Sequence, residues 1–174
     1  FTTQSFHWLR KYSNIVKGLV LSHPNQLWVS DITYWEVGSR FVYISLITDA
    51  FSHKIVGYHI ADTLAAVETV EALRMALQHL HTDHPGLIHH SDRGIQYCSQ
   101  EYVQMLQDRS IQISMTETGD PRDNAIAERV NGILKEEYLY DYSVISLPQA
   151  KLVLAFVIDL YNEERPHMSC DYKT

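Results

Sequence analysis

Three runs rich in β-branched and aromatic residues, 26-QLWVSDITYWEV-37, 41-FVYISLIT-48 and 54-KIVGYHIA-61, follow one another with only a few residues between them. Links this short cannot carry a strand back to its own starting end, so the three pair as an antiparallel meander. Gly38-Ser39 and Ser52-His53 supply the turns. The hydrophobic period then switches. In 65-AAVETVEALRMALQHL-80 the apolar positions Val67, Val70, Leu73, Leu77 and Leu80 recur every three to four residues, the spacing of an amphipathic helix. Pro85-Gly86 closes it, 87-LIHHS-91 reads as a short buried strand, a helix follows over about 99–109, and 111-IQISM-115 is a fifth strand. Helices over roughly 123–139 and 148–164 complete the chain. This order predicts an α/β fold: a mixed five-stranded sheet whose meander is extended by parallel strands through helical crossovers, with helices on both faces.

A chain of 174 residues is long enough to bury one sizeable core. It contains no run of 18 apolar residues, so no membrane span is expected. Residues 1–25 lack periodicity, end in the turn-like His23-Pro24-Asn25, and read as a connector. Cys98 and Cys170 are too few for a disulfide framework or a four-cysteine zinc site, which leads to the expectation of a reducing, cytoplasmic setting. The net charge of −7 argues against a broad basic face for nucleic acid. It fits an acidic soluble domain, or a site whose carboxylates await metal ions.

Three of those carboxylates stand where their type is informative. Asp31 interrupts the first strand between Val29 and Ile32, although Asp is depleted from strand interiors. Asp92 lies just beyond the fourth strand, at the kind of strand end where α/β sheets gather ligands. Glu128 shares a helix face with Asn131, Gly132 and Lys135, beside an apolar stripe of Ile126, Val130, Ile133 and Leu134. Taken singly, each has a plain structural account: an edge residue, a turn or helix cap, a solvated helix charge. Together they acquire another. With the first strand central and the fourth parallel beside it, Asp31 and Asp92 meet and the Glu128 helix lies across them. Carboxylates that close raise one another's pKa and call for a cation. Oxygen-only ligands suit Mg²⁺ or Mn²⁺, and a pair of such ions serves phosphodiester chemistry.

The stretches 28-WVSDITY-34, 90-HSDRGIQY-97, 123-DNAIAERVNGILKEE-137 and 161-YNEERPH-167 resemble the catalytic core of bacterial insertion-sequence transposases, within the retroviral-integrase-like DDE superfamily of ribonuclease-H-like fold. Thirty-five residues lie between Asp92 and Glu128, and Lys135 follows Glu128 by seven, as is usual there. The resemblance spans residues 26–174 and makes 1–25 the connector from an upstream DNA-binding region. It implies that Asp31, Asp92 and Glu128 bind the metals, and that the enzyme cuts and joins DNA at transposon ends as a homo-oligomer. Without the upstream region, weak DNA binding with little sequence preference is expected. Lys135 on the Glu128 face, Arg93, Gln96, Asn124 and Asn131 are the candidates for DNA contact, with helix capping by Asp123 or Asn124 and turn-making by Arg93 and Gln96 as structural alternatives. A nuclease that only hydrolyses nucleic acid, or an inert DNA-binding or assembly module, would share the fold.

Five histidines within 79-HLHTDHPGLIHH-90 invite a zinc site, but they are spread over a helix end, a turn and a strand. His90 reads as a packed strand histidine, with support of Asp92 as its functional alternative. The helix 150-AKLVLAFVIDLYNEER-165 is apolar almost all round, which suggests deep burial or an oligomer interface. Arg165, Pro166 and His167 match the family's downstream motif without a physical account.

Overall fold

The computed structural model describes residues 7–80, 84–117 and 124–164. Its elements, in chain order, are β1 (Leu27–Val37), β2 (Arg40–Asp49), β3 (Ile55–Ala61), α1 (Ala66–His79), β4 (Ile88–Ser91), α2 (Gln100–Asp108), β5 (Gln112–Met115), α3 (Ala125–Ile133) and α4 (Leu147–Glu164). The sheet runs β3-β2-β1-β4-β5. β1, β2 and β3 pair antiparallel, while β4 joins β1, and β5 joins β4, in parallel. The meander with parallel additions is therefore present as the period switch predicted.

Side-chain alternation along β1 divides the protein into two apolar layers. Trp28 and Ile32 point to one face and pack with Leu73, Leu77, Tyr102 and Leu106 of α1 and α2. Trp35 and Val37 point to the other and pack with Val130, Leu134, Leu154 and Ile158 of α3, its extension and α4. Burying each large side chain of this kind stabilises by about 1.5–3 kcal/mol, so both layers hold the sheet. The α1 layer fits tightly because β3 carries a glycine. A Cβ on Gly57 would collide with the carbonyl of Ala72 and lie 2.8 Å from Ala76 Cβ.

The helix after β5 differs from expectation. The helix predicted over 123–139 is α-helical only to Ile133 and continues as a π-helical stretch, Leu134–Leu139. Wider winding bonds each residue to the fifth one on, which lets Leu134 and Leu139 both be fully buried. Asp123 lies outside the described residues, as do Arg165, Pro166 and His167. α4 is buried along one side only: Leu152 is 75% exposed and Phe156 57%. Its apolar surplus thus faces outward rather than into a core.

Residues 7–25 pack on the domain. The Ile15 N–H donates to Ser114 Oγ at 3.1 Å, and Lys17 Nζ pairs with Glu117 at 2.9 Å beside β5. Val16 and Leu21 cover Leu27, Val29 and Ala127.

Candidate active site

The parallel ladder between β1 and β4 ends at Val29↔His90. Two residues further along each chain stand Asp31 and Asp92, and an even step in both strands keeps them on one face. That face carries α3. Asp31 is half-buried there, and Asn131 Nδ2 of α3 donates to its Oδ2 at 2.7 Å. Burial pushes the Asp31 carboxyl up to about 7, with the charge of Asp92 adding to the shift and Glu128 contributing least. The Ile32 N–H and the Asn131 amide oppose it by hydrogen bonding to the charged form.

Asp92 is held by the turn that follows it. Its Oδ1 accepts the Gly94 N–H at 2.8 Å. A Cβ on Gly94 would sit 2.8 Å from that same oxygen and 3.0 Å from Gln96 Oε1, so a side chain here would push into the carboxylate. Glu128 stands apart from this pair. It is exposed, in the first turn of α3, and acts on Asp31 only through its charge. Among the described residues, no three His, Cys, Asp or Glu side chains stand close enough to hold a metal ion together.

The expected DNA-contacting residues divide. Asn124, Asn131 and Gln96 are buried. Asn124 occupies the N-cap position of α3 without capping it, since its Nδ2 donates instead to the Ser30 carbonyl at 3.0 Å. Gln96 Nε2 donates to the Leu64 carbonyl at 3.0 Å. The amide oxygens of all three are buried without a partner. Arg93 lies in the turn after Asp92, where its carbonyl is 2.9 Å from His7 Nε2. Lys135 Nζ lies 3.9 Å from the Tyr34 ring centroid. It belongs to the site's border rather than to its carboxylates.

Sequence reasoning passed over His89. It is fully buried on the opposite face, with Nε2 2.7 Å from Ser30 Oγ and 2.8 Å from Tyr102 Oη. Burial, then the neighbouring His90, pushes its pKa down to about 3, so the ring stays neutral. The bond to Ser30 ties β1 to β4 directly behind Asp31. Strand parity in 88-IHHS-91, which sends His89 and His90 to opposite faces, was the available signal. His90 is a packed strand histidine, with Nδ1 2.8 Å from Ser114 Oγ.

Both donors and electrostatics suit a hard divalent cation. The Asp31 carboxyl is held against the cost of burial beside Asp92, and the amide oxygen of Asn131, whose nitrogen bonds Asp31, is buried without a partner. Comparison with known proteins agrees with the fold that presents them. Residues 22–121 match the family model described as integrase core domain, and residues 109–174 match a second model so described. The chain is 36% identical over 146 residues to a transposase for insertion sequence element IS629 from Shigella sonnei, covering 84% of this chain and 49% of that protein. It is 34% identical over 152 residues to a putative transposase for IS986/IS6110 from Mycobacterium tuberculosis, covering 84% and 55%. The chain thus spans about half the length of these curated relatives. The catalytic core domain of HTLV-2 integrase in complex with magnesium superposes with a TM-score of 0.66 at 22% identity, over 87% of this chain and 93% of that one. A chain of the simian T-cell lymphotropic virus intasome gives 0.72 at 23%, over 99% and 59%. These likenesses establish the mixed-sheet fold of integrase cores.

Proposed function

Because the chain belongs to the integrase core domain family, we propose that it is the catalytic core of a DNA transposase, with Asp31, Asp92 and Glu128 as its metal-binding triad. The observation that carries this reading is Asp31, set beside Asp92 by strand register and with its own carboxyl pushed up by burial. A protein gains nothing in stability from such an arrangement, and a carboxyl perturbed like that of Asp31 marks a functional site. The transposase relatives favour strand cleavage and transfer over hydrolysis alone.

Two Mg²⁺ or Mn²⁺ ions, when bound, would activate the attacking oxygen, first of water and then of a DNA 3′-hydroxyl, and offset charge on the leaving oxygen. The residues of this chain do the positioning. Asn131 orients Asp31, and the Gly94 N–H orients Asp92. Asn124 fixes the start of α3 to β1 at Ser30, which sets the helix that carries Glu128. Self-association in the active complex falls to the outward apolar side of α4, at Leu152 and Phe156. No helix among the described residues is long and apolar enough to cross a membrane. A bacterial cytoplasmic setting, where such an element meets its DNA, fits the sources of the relatives.

The test has two arms. Calorimetric titration with Mn²⁺ should give binding to the wild type and none to Asp31→Asn. Transposon-end duplexes incubated with Mg²⁺ should yield strand-transfer products joined to target DNA. Hydrolysis without joining would make the protein a nuclease, and absence of Mn²⁺ binding would remove the triad.

A further inference from the structure

β4 flanks β1 only over Leu27–Val29, which leaves the far half of β1 without a neighbour on that side. A groove of about 550 Å³ lies at this open end, between the β1–β2 hairpin and the segment that follows the π-helical stretch. It begins at Lys135, four residues beyond the Asn131 that grips Asp31, and reaches the hairpin turn at Gly38. There the Gly38 N–H donates to the Val144 carbonyl at 2.8 Å. Tyr34 and Phe41 form one wall, in edge contact with ring centroids 5.3 Å apart. Tyr140 and Tyr142 form the other. All four rings are exposed, Tyr140 at 84% and Phe41 at 55%.

We propose that this groove stacks unpaired nucleotides of the DNA strand as it leaves the carboxylate site. The inference rests on the DNA-processing reading and names where that substrate continues. Its size suits a drug-sized group, which admits about one or two splayed bases and excludes a duplex. Exposed rings on facing walls match the flat faces that every base presents, and such stacking tolerates any sequence. Charge in the groove is balanced. Lys135 is offset by Glu36 within the groove, and Arg40 by Asp62 in the adjoining cavity that shares Phe41 and Ile145. The groove therefore lacks the basic track that would hold a strand by its phosphates. Ring stacking supplies the affinity, and Lys135, held over Tyr34, stands at the end of the groove toward Asn131.

Fluorescence anisotropy with a labelled single-stranded oligothymidine and a blunt duplex, both in EDTA, tests this. Tyr140→Ala should weaken single-strand binding about tenfold, leave duplex binding unchanged, and be rescued by Tyr140→Phe. The salt slope for the single strand should be no steeper than about −1.4, the value for two phosphates. Equal losses on both DNAs, or wild-type single-strand binding by a Phe41→Ala/Tyr140→Ala double variant, would overturn the proposal. So would loss of self-association in sedimentation, because the groove would then join two copies of the chain. Asp31→Asn separates the two readings: it should bind the single strand normally and fail to cleave. Cleavage by Asp31→Asn would defeat the triad alone, and normal binding by the groove variants would defeat the groove alone.

Discussion

The strand-borne carboxylates and the helix-borne one are held in different ways. Asp31 and Asp92 are set by a parallel ladder and by hydrogen bonds from Asn131 and Gly94. Their mutual repulsion is built in when the sheet forms. Glu128 lies exposed in the first turn of α3, where the helix dipole favours an acid by about 0.3–1 kcal/mol. Folding therefore works against the first pair and slightly favours the third residue. In the proposed triad, the difference separates what a metal would have to overcome from what it would have to recruit. Substitution should expose it. Glu128→Gln and Asp31→Asn should each lower DNA cleavage beyond the roughly 100-fold typical of a supporting group. Their stabilities should part, with Glu128→Gln within about 0.5 kcal/mol of wild type and Asp31→Asn more stable at pH 8. A Glu128→Gln protein that cleaved at the wild-type rate in a gel assay would remove Glu128 from the triad.

The stability of Asp31 carries a pH signature. Its carboxyl titrates near 7 in the folded protein against an ordinary value of 3.8. Between those values the folded state binds more protons than the unfolded chain, so stability falls as pH rises through this window. The loss reaches at most about 4 kcal/mol and is complete above about pH 7. Asp31→Asn should lack this slope, and Mg²⁺ should flatten it in the wild type. Denaturant midpoints at pH 5, 6, 7 and 8 read the difference directly. Parallel curves for the two proteins would mean that Asp31 is not held against its charge.

This contrast also explains what the sequence made legible. The meander, the helix after it and the parallel strands follow from the change of hydrophobic period, because strand and helix periods cannot be exchanged. Asp31 stood out because strands disfavour Asp, and its pairing with Asp92 followed from topology. Glu128 entered the proposed triad only through the family spacing, since an exposed glutamate on a helix is locally unremarked. Asn124, Asn131 and Gln96 stood as candidates for DNA contact, with capping by Asn124 and turn-making by Gln96 as alternatives, and all three are buried. Their amides bind Ser30, Asp31 and Leu64 across 94, 100 and 32 residues of sequence. Such contacts depend on how elements pack, which local pattern does not encode. The π-helical stretch was hidden for a related reason: its winding answers to the core that receives Leu134 and Leu139. The groove, too, exists only once the hairpin and the segment after Leu139 come together.

Two glycines give the finest version of the comparison. Gly94 belongs to the strand-borne pair, and an added Cβ there meets Asp92 Oδ1 at 2.8 Å. The atom it meets is the end of a side chain, so the carboxylate shifts by a few tenths of an ångström while the fold remains. Gly94→Ala should thus lower cleavage by about tenfold or more, as misplacement of a reacting group does, with its melting temperature little changed. Gly132 belongs to the helix that carries Glu128, and a Cβ there meets nothing within 4 Å. Gly132→Ala should stabilise the helix by about 0.5–1 kcal/mol, because alanine loses less backbone freedom. Calorimetry and a cleavage assay on the two variants weigh one region against the other. If Gly94→Ala lost stability rather than activity, the turn would serve folding and not the placement of Asp92.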